Sequence, residues 1–403
     1  MCKPTRREFV QEVSAWSAFE LMAVRPRQAT ANAKRILAYV GTYSSREGSN
    51  HGRGIHILEM NPSSGALVPN EIVRSESNPS WLTFNRNRTH LYSANEIADP
   101  STGSGSVSAY AVDRSTGLLT VLNTVSSEGA GPAHLSVHPA GKHALVANYG
   151  GGSVAVLPIQ RDGRLGSASD VKRHQGTVGP MQPSGAPPGS FAASGHDRPH
   201  AHMIEADPSG RFVLAADLGL DEIRVWRFDD VKGTLAPNEP PSVALPPGDG
   251  PRHFAFHPNG RWLYSLQEEA STVMTFDFDP SSGRFRGKQT LSTLPQGFAG
   301  TNFTSEIALS PDARFVYVAN RLHDSIAWFS IGAEGMLTWV GEEWTRGDYP
   351  RSFSIDPSGG FLFSCNQRSD AITSFRIDQT SGALTFTGHY TPVGSPAHII
   401  FMS

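Results

Sequence analysis

The chain has 403 residues, 38% hydrophobic and 18% charged, with 40 glycines, 29 prolines and a formal charge of −3. That balance argues against a general surface for nucleic acid or other polyanions, and no apolar run approaches the roughly 20 residues needed to span a bilayer. Two cysteines, Cys2 and Cys365, are too few for a disulfide framework or a cysteine-based metal cluster.

In chain order, residues 1–33 stand apart from the rest of the chain. Thr5-Arg6-Arg7-Glu8-Phe9-Val10 resembles a twin-arginine export motif. A weakly apolar stretch (13–24) comes next, and Ala31-Asn32-Ala33 offers a small-residue cleavage site. Glu12 and Glu20 interrupt the apolar character. The expectation is an export leader outside the fold and a periplasmic protein; the alternative is an amphipathic leader on a cytoplasmic one.

From residue 34 to 403 the chain is a repeat. Its clearest copy is GPRHFAFHPNGRWLYSLQEEASTVMTFDFD (250–279), and related copies begin at Pro132, His200, Thr304 and Pro350, with a degenerate one at Pro79. Each consists of short β-branched and aromatic runs punctuated by Gly, Pro, Asn and Ser, the pattern of strands joined by tight turns. Repeats built only of short strands predict an all-β propeller with four-stranded blades. Six copies are internal. The C-terminal PAHIIFMS supplies one innermost strand, and ILAYVGTY, GRGIHILEM and ALVPNEIV near the N-terminus supply three more. These make a seventh blade that closes the ring and leaves no free sheet edge. Cys365 falls in a strand-like run and reads as an inert core thiol.

Within a blade the start of the innermost strand and the end of the second lie side by side, at one mouth of the channel. With the turn proline as landmark, this mouth collects His134, His202, Arg252, His253, Glu268, Glu306, Arg321, Arg351 and His398. Charges and imidazoles gathered where a channel narrows are costly unless they pair or bind something. Asn95, Asn148, Asp217, Asn320 and Asn366 recur at one register and read as turn-formers. His138 and His257, beside turn prolines, read as exposed and without a role. The Gly/Ser-rich segments 99–106 and 176–195 are expected over the mouth face. His200 and His202 would share one face of a strand, but no third ligand stands at a metal-like spacing, so no metal is assigned.

The runs YVGTY, RPHAHMI with DPSGRFVLAADLGLD, GPRHFAFHPNGRWLYSLQE and the closing SPAHI resemble the seven-bladed-propeller lactonases, which include a bacterial 6-phosphogluconolactonase type and fungal carboxy-cis,cis-muconate cyclases. The resemblance runs from Ile36 to the C-terminus. It implies a small-molecule lactone substrate, no cofactor, and a catalytic His, Arg and Glu that fall here on His202, Arg252 and Glu268. The family's further Arg matches either Arg321 or Arg351. His200, Glu306 and His134 are further substrate-binding candidates. In chemical terms, Glu268 or His202 would be a general base, Arg252 an oxyanion partner, and Arg321 or Arg351 the site for a phosphate or second carboxylate. No GxSxG elbow is present for a covalent serine route. Two other readings stay open: a lactonizing cyclase or isomerase of the muconate type, and a non-catalytic propeller that binds a ligand or partner.

Overall fold

A computed structural model describes residues 35–403 apart from 47, 49 and 192–194; the export motif and cleavage site expected in 1–33 lie outside the described residues. Seven four-stranded sheets make up the described chain, each antiparallel throughout. Blade 4 is representative: Pro251–Phe256, Trp262–Gln267, Thr272–Asp279 and Arg284–Ser292 run in order from the channel outward. Blades 1, 2, 3, 5 and 6 occupy residues 79–126, 132–173, 201–244, 304–344 and 350–392. In the closing blade 7, Pro396–Met402 pairs with Ile36–Thr42, followed by Gly54–Met60 and Leu67–Arg74. The ends of the repeat are thus sewn into one sheet, as its two partial copies predict.

The turn sequences act locally and between blades. Asp279 Oδ1 accepts the amide of Ser281 at 2.9 Å, and Gly283 takes φ 70°, so Asp-Pro-Ser-Ser-Gly folds back on itself. Where the equivalent glycine is Gly117, Gly163, Gly335 or Gly382, its carbonyl accepts a buried tyrosine hydroxyl from the preceding blade: Tyr39, Tyr92, Tyr264 and Tyr317, at 2.7–3.2 Å. The recurrent asparagines do more than form turns. Asn148, Asn320 and Asn366 are fully buried and donate to the Ser127, Thr293 and Thr345 carbonyls, which follow the last strand of the blade before. Asp217 serves the same register by accepting His174 Nδ1 at 2.6 Å. His138, expected to be exposed, is buried: its Nε2 reaches the Gly210 carbonyl at 2.8 Å and its ring lies on Phe228, across the blade 2–3 boundary. Cys365 is 0% exposed, and burial pushes its thiol up to about 12.

One device recurs in the innermost strand of every blade. The pairing register slips by a residue at Pro79/Trp81, Pro132/His134, Ala201/Met203, Pro251/His253, Thr304/Ile307, Pro350/Ser352 and at the closing strand's Pro396/His398. A bulge inserts one extra residue and re-aims a side chain without disturbing the alternation beyond it. The second residue of each strand (Ser80, Ala133, His202, Arg252, Ser305, Arg351, Ala397) therefore belongs to the mouth. The third (Trp81, His134, Met203, His253, Glu306, Ser352, His398) forms a ring one layer deeper. The fifth (Thr83, Ser136, Glu205, Ala255, Ala308, Ser354, Ile400) lines the far half of the channel. Between them Leu82, Leu135, Ile204, Phe254, Ile307, Phe353 and Ile399 turn into the blade cores, each at most 5% exposed.

Candidate active site

The mouth is built from the second residues of the innermost strands and the residues just beyond the second strands: Tyr43, Glu96, Tyr149, Leu218, Glu268, Arg321 and Gln367. Blades 4 to 6 give it its arginines. Glu268 stands between two guanidiniums, with Oε2 2.9 Å from Arg252 Nε and Oε1 2.7 Å from Arg321 Nη2. All three side chains are almost completely buried. Burial alone would raise the Glu268 carboxyl, but Arg321 and Arg252 outweigh it and hold the group at about 2. Arg252 moves the other way: burial, then repulsion from Arg351 and Arg321, brings it down to about 9. One of its Nη atoms also donates to the Ser305 carbonyl, fixing its plane against blade 5.

Arg351 anchors the opposite side. Its Nε donates to Tyr43 Oη at 3.0 Å, and its Nη2 lies 3.6 Å from Glu96, whose other oxygen accepts Tyr43 Oη (2.8 Å) and Ser80 Oγ (2.6 Å). His202 completes the group. It is 4% exposed, and its buried Nδ1 has no hydrogen-bond partner among the described residues. Burial, then the fields of Arg252 and His253, hold its pKa well below the usual imidazole range, so the ring is neutral at physiological pH. Tyr43, Glu96, His202, Arg252 and Arg351 all border one pocket, which encloses only about 10 Å³.

Four groups expected at the mouth lie one layer deeper, and of these only His253 still borders the mouth pocket. His134, Glu306 and His398 belong to the deeper ring and face the other end of the channel, because the bulge separates second from third residues by a layer. His398 stacks on Trp81 at 3.7 Å between centroids, and His134 and His253 pack against the same indole. His253 Nδ1 bonds Glu306 at 3.0 Å. Together these groups plug the channel. His200 is turned out of the mouth: one ring nitrogen meets the Tyr149 carbonyl at 2.9 Å and the other Asp197 at 2.7 Å, so it shares no open face with His202. The described residues of segments 99–106 and 176–195 contribute no lining to the mouth pocket. The first hydrogen-bonds the blade 1–2 link, through Gly105 and the Gly129 carbonyl. The described part of the second rests on residues 300 and 301. Glu96 and Tyr149 stand at exit positions that the repeat register assigns to the mouth but are not among the candidates named from the sequence, and Tyr43 and Tyr349 are additions from the structure. The available signal was positional, since Tyr43, Glu96 and Tyr149 occupy the same register as Glu268 and Arg321.

Beyond the plug lies a cavity of about 600 Å³, lined by the fifth-residue ring and by apolar groups such as Phe84, Phe256 and Leu309. Two carboxyls, Glu205 and Glu306, line it together with His134, His253 and His398. Burial raises Glu205 and Glu306 to about 7, and Glu306 Oε2 has no hydrogen-bond partner among the described residues.

A closed seven-bladed propeller with a buried His, Arg and Glu at one mouth defines a class, and comparison with known proteins specifies it. The family model described as "Lactonase, 7-bladed beta-propeller" matches residues 37–401, and the chain belongs to that family. It is 36% identical over 369 residues to a 6-phosphogluconolactonase of Bacillus subtilis, covering 91% of this chain and 99% of that one. It is 31% identical to a 6-phosphogluconolactonase of Serratia proteamaculans, covering 86% and 94%. Among solved structures, a periplasmic gluconolactonase of Pseudomonas aeruginosa superimposes with a TM-score of 0.82 at 31% identity, covering 92% and 99%. The protein is a lactone hydrolase acting on a small-molecule lactone.

Proposed function

We propose that the enzyme opens a sugar-acid lactone of the 6-phosphogluconolactone type at the arginine-rich mouth, by general acid/base chemistry without a metal. The observation that carries this reading is His202: a neutral, buried imidazole whose Nδ1 has no hydrogen-bond partner among the described residues, in a pocket it shares with Arg252. His202 takes a proton from the attacking water. The hydroxide adds to the lactone carbonyl while Arg252, still charged near neutral pH, stabilises the oxyanion. When the ring C–O bond breaks, the imidazolium returns its proton to the leaving alkoxide. Glu268 is not the base in this scheme, since both its oxygens meet guanidiniums that hold its carboxyl at about 2 and make it a poor proton acceptor; it positions Arg252 and Arg321. Arg351 faces the substrate from across the mouth. An anionic substrate fits this end because the far cavity presents carboxyls instead.

A neutral aldonolactone is the second reading, favoured by the resemblance to a periplasmic gluconolactonase and by the twin-arginine-like leader. Proton release in a pH-stat tests both, with 6-phosphogluconolactone and gluconolactone side by side and a chelator control. The expected result is turnover above the spontaneous rate, indifferent to chelator, that falls at least about 100-fold in His202→Ala and Arg252→Ala. Full rates in both variants would overturn the site. Turnover of neither lactone would overturn the substrate class.

A further inference from the structure

We propose that Arg368, on the rim of blade 6, is the subsite for the phosphate of a phosphorylated lactone and sets the enzyme's preference for it; this rests on the mouth being the reaction site. The arginines of the mouth are already engaged. Arg252 and Arg321 divide Glu268, and Arg351 faces Glu96 and Tyr43. Arg368 lies two residues beyond the end of Phe361–Asn366, next to Gln367 of the mouth ring. It is exposed and forms no ion pair among the described residues. Its guanidinium carbon lies 3.8 Å from the centroid of the Tyr349 ring. The same ring lies 5.2 Å from the Arg321 guanidinium, which also donates to Tyr349 Oη at 3.2 Å. Tyr349 thus links the innermost arginines to an exposed one, whose charge also acts on Asp324 without a direct ion pair.

The platform is fixed rather than fortuitous. Tyr349 N donates to Asp324 Oδ1 at 2.8 Å, its carbonyl accepts Gln367 N at 3.0 Å, and Arg368 N donates to the Asp348 carbonyl at 3.2 Å. Stacking on an aromatic face orients the plane of a guanidinium while leaving its N–H edges for a planar or tetrahedral anion. The size of the mouth supplies the reason for a rim subsite. With about 10 Å³ enclosed, a hexose lactone cannot descend into the channel. Its carbonyl can reach Arg252 and His202 only if the rest of the molecule lies across the rim, and the ester phosphate then meets side chains outside the buried set.

The test compares kcat/KM for 6-phosphogluconolactone and gluconolactone in full-length wild type, Arg368→Ala and Arg368→Lys, with inorganic phosphate as an inhibitor. We expect the ratio of phosphorylated to neutral lactone to fall about tenfold in Arg368→Ala, chiefly through KM, with partial recovery in Arg368→Lys. Phosphate inhibition should weaken in parallel. An unchanged ratio in Arg368→Ala, or a wild type with no preference for the phosphorylated lactone, would overturn the inference alone. A wild type that hydrolyses neither lactone would instead remove the proposed function on which it rests.

Discussion

The two ends of the channel are made by the same seven strands and differ in almost every physical respect. The mouth is tight and cationic, its arginines held by buried carboxylates. The far cavity is some 600 Å³, largely apolar, with two carboxyls pushed up to about 7. A ring containing Trp81, His134, His253 and His398 separates them. The difference teaches that volume is a poor guide to chemistry here. The larger space is lined by no Arg or Lys among the described residues, and the smaller one sets Arg252 and Arg351 beside an imidazole.

The sharpest way to break this comparison is to mutate both ends and measure one rate. Arg252→Ala and His202→Ala should each lower kcat/KM for the lactone by about 10²–10⁴-fold, whereas Glu205→Gln in the far cavity should leave it within about threefold. The reverse ranking would move the reaction to the far end. Next in size is Glu268→Gln, which leaves two buried guanidiniums without their shared carboxylate. Urea unfolding should register a loss of about 3–5 kcal/mol, accompanied by a fall in kcat. Because the Glu268 pKa is depressed to about 2, its contribution is present above the unfolded value near 4.5 and drains away as pH falls towards 2. A variant as stable as wild type at pH 7 would show that the pair is not structurally coupled.

Two smaller effects concern protons. His134, His202 and His253 are held well below the usual imidazole range and His398 at about 4, chiefly by burial. The unfolded chain therefore binds more protons below about pH 6.5, so stability should decline from there downwards, and the acid limb of kcat/KM should lie below 6.5. An acid limb centred at 6.5 or higher would argue against His202 as the base. At the other end the sign reverses. The raised carboxyl of Glu205 favours the folded state at low pH and costs stability as pH rises through about 7. Glu205→Gln should thus raise Tm at pH 8 and change it little at pH 5, and equal shifts at both pH values would contradict this assignment. The smallest expected signal is at Cys365, whose thiol should resist alkylation in the native protein and react on unfolding; rapid native labelling would place it elsewhere than in the core.

Much of this architecture was legible residue by residue. The turn signature Asp279-Pro-Ser-Ser-Gly283 marks its own fold, and the partial repeats at the two chain ends require each other to complete a blade. His202, Arg252, Glu268 and Arg351 sit at the mouth as their distance from the turn proline predicts. Other residues were misplaced for a definite reason. His134, Glu306 and His398 stand one strand position beyond their mouth-facing neighbours, and strand periodicity alone does not say where a bulge inserts its extra residue. His138 looked exposed because it precedes a turn proline, but a neighbouring blade covers it.

The sequence by itself therefore determined the all-β repeat, the number of blades, the closure through both termini and the register carrying polar groups to the channel. These follow from alternation and turn chemistry, which act over a few residues at a time. Only the tertiary structure decided which polar groups share a layer and which carboxylate holds which arginine. It also decided that His202 Nδ1 has no hydrogen-bond partner among the described residues while both ring nitrogens of His200 are engaged. Those outcomes depend on contacts between blades about 50 residues apart in sequence, where desolvation and charge pairing, rather than local propensity, select the arrangement.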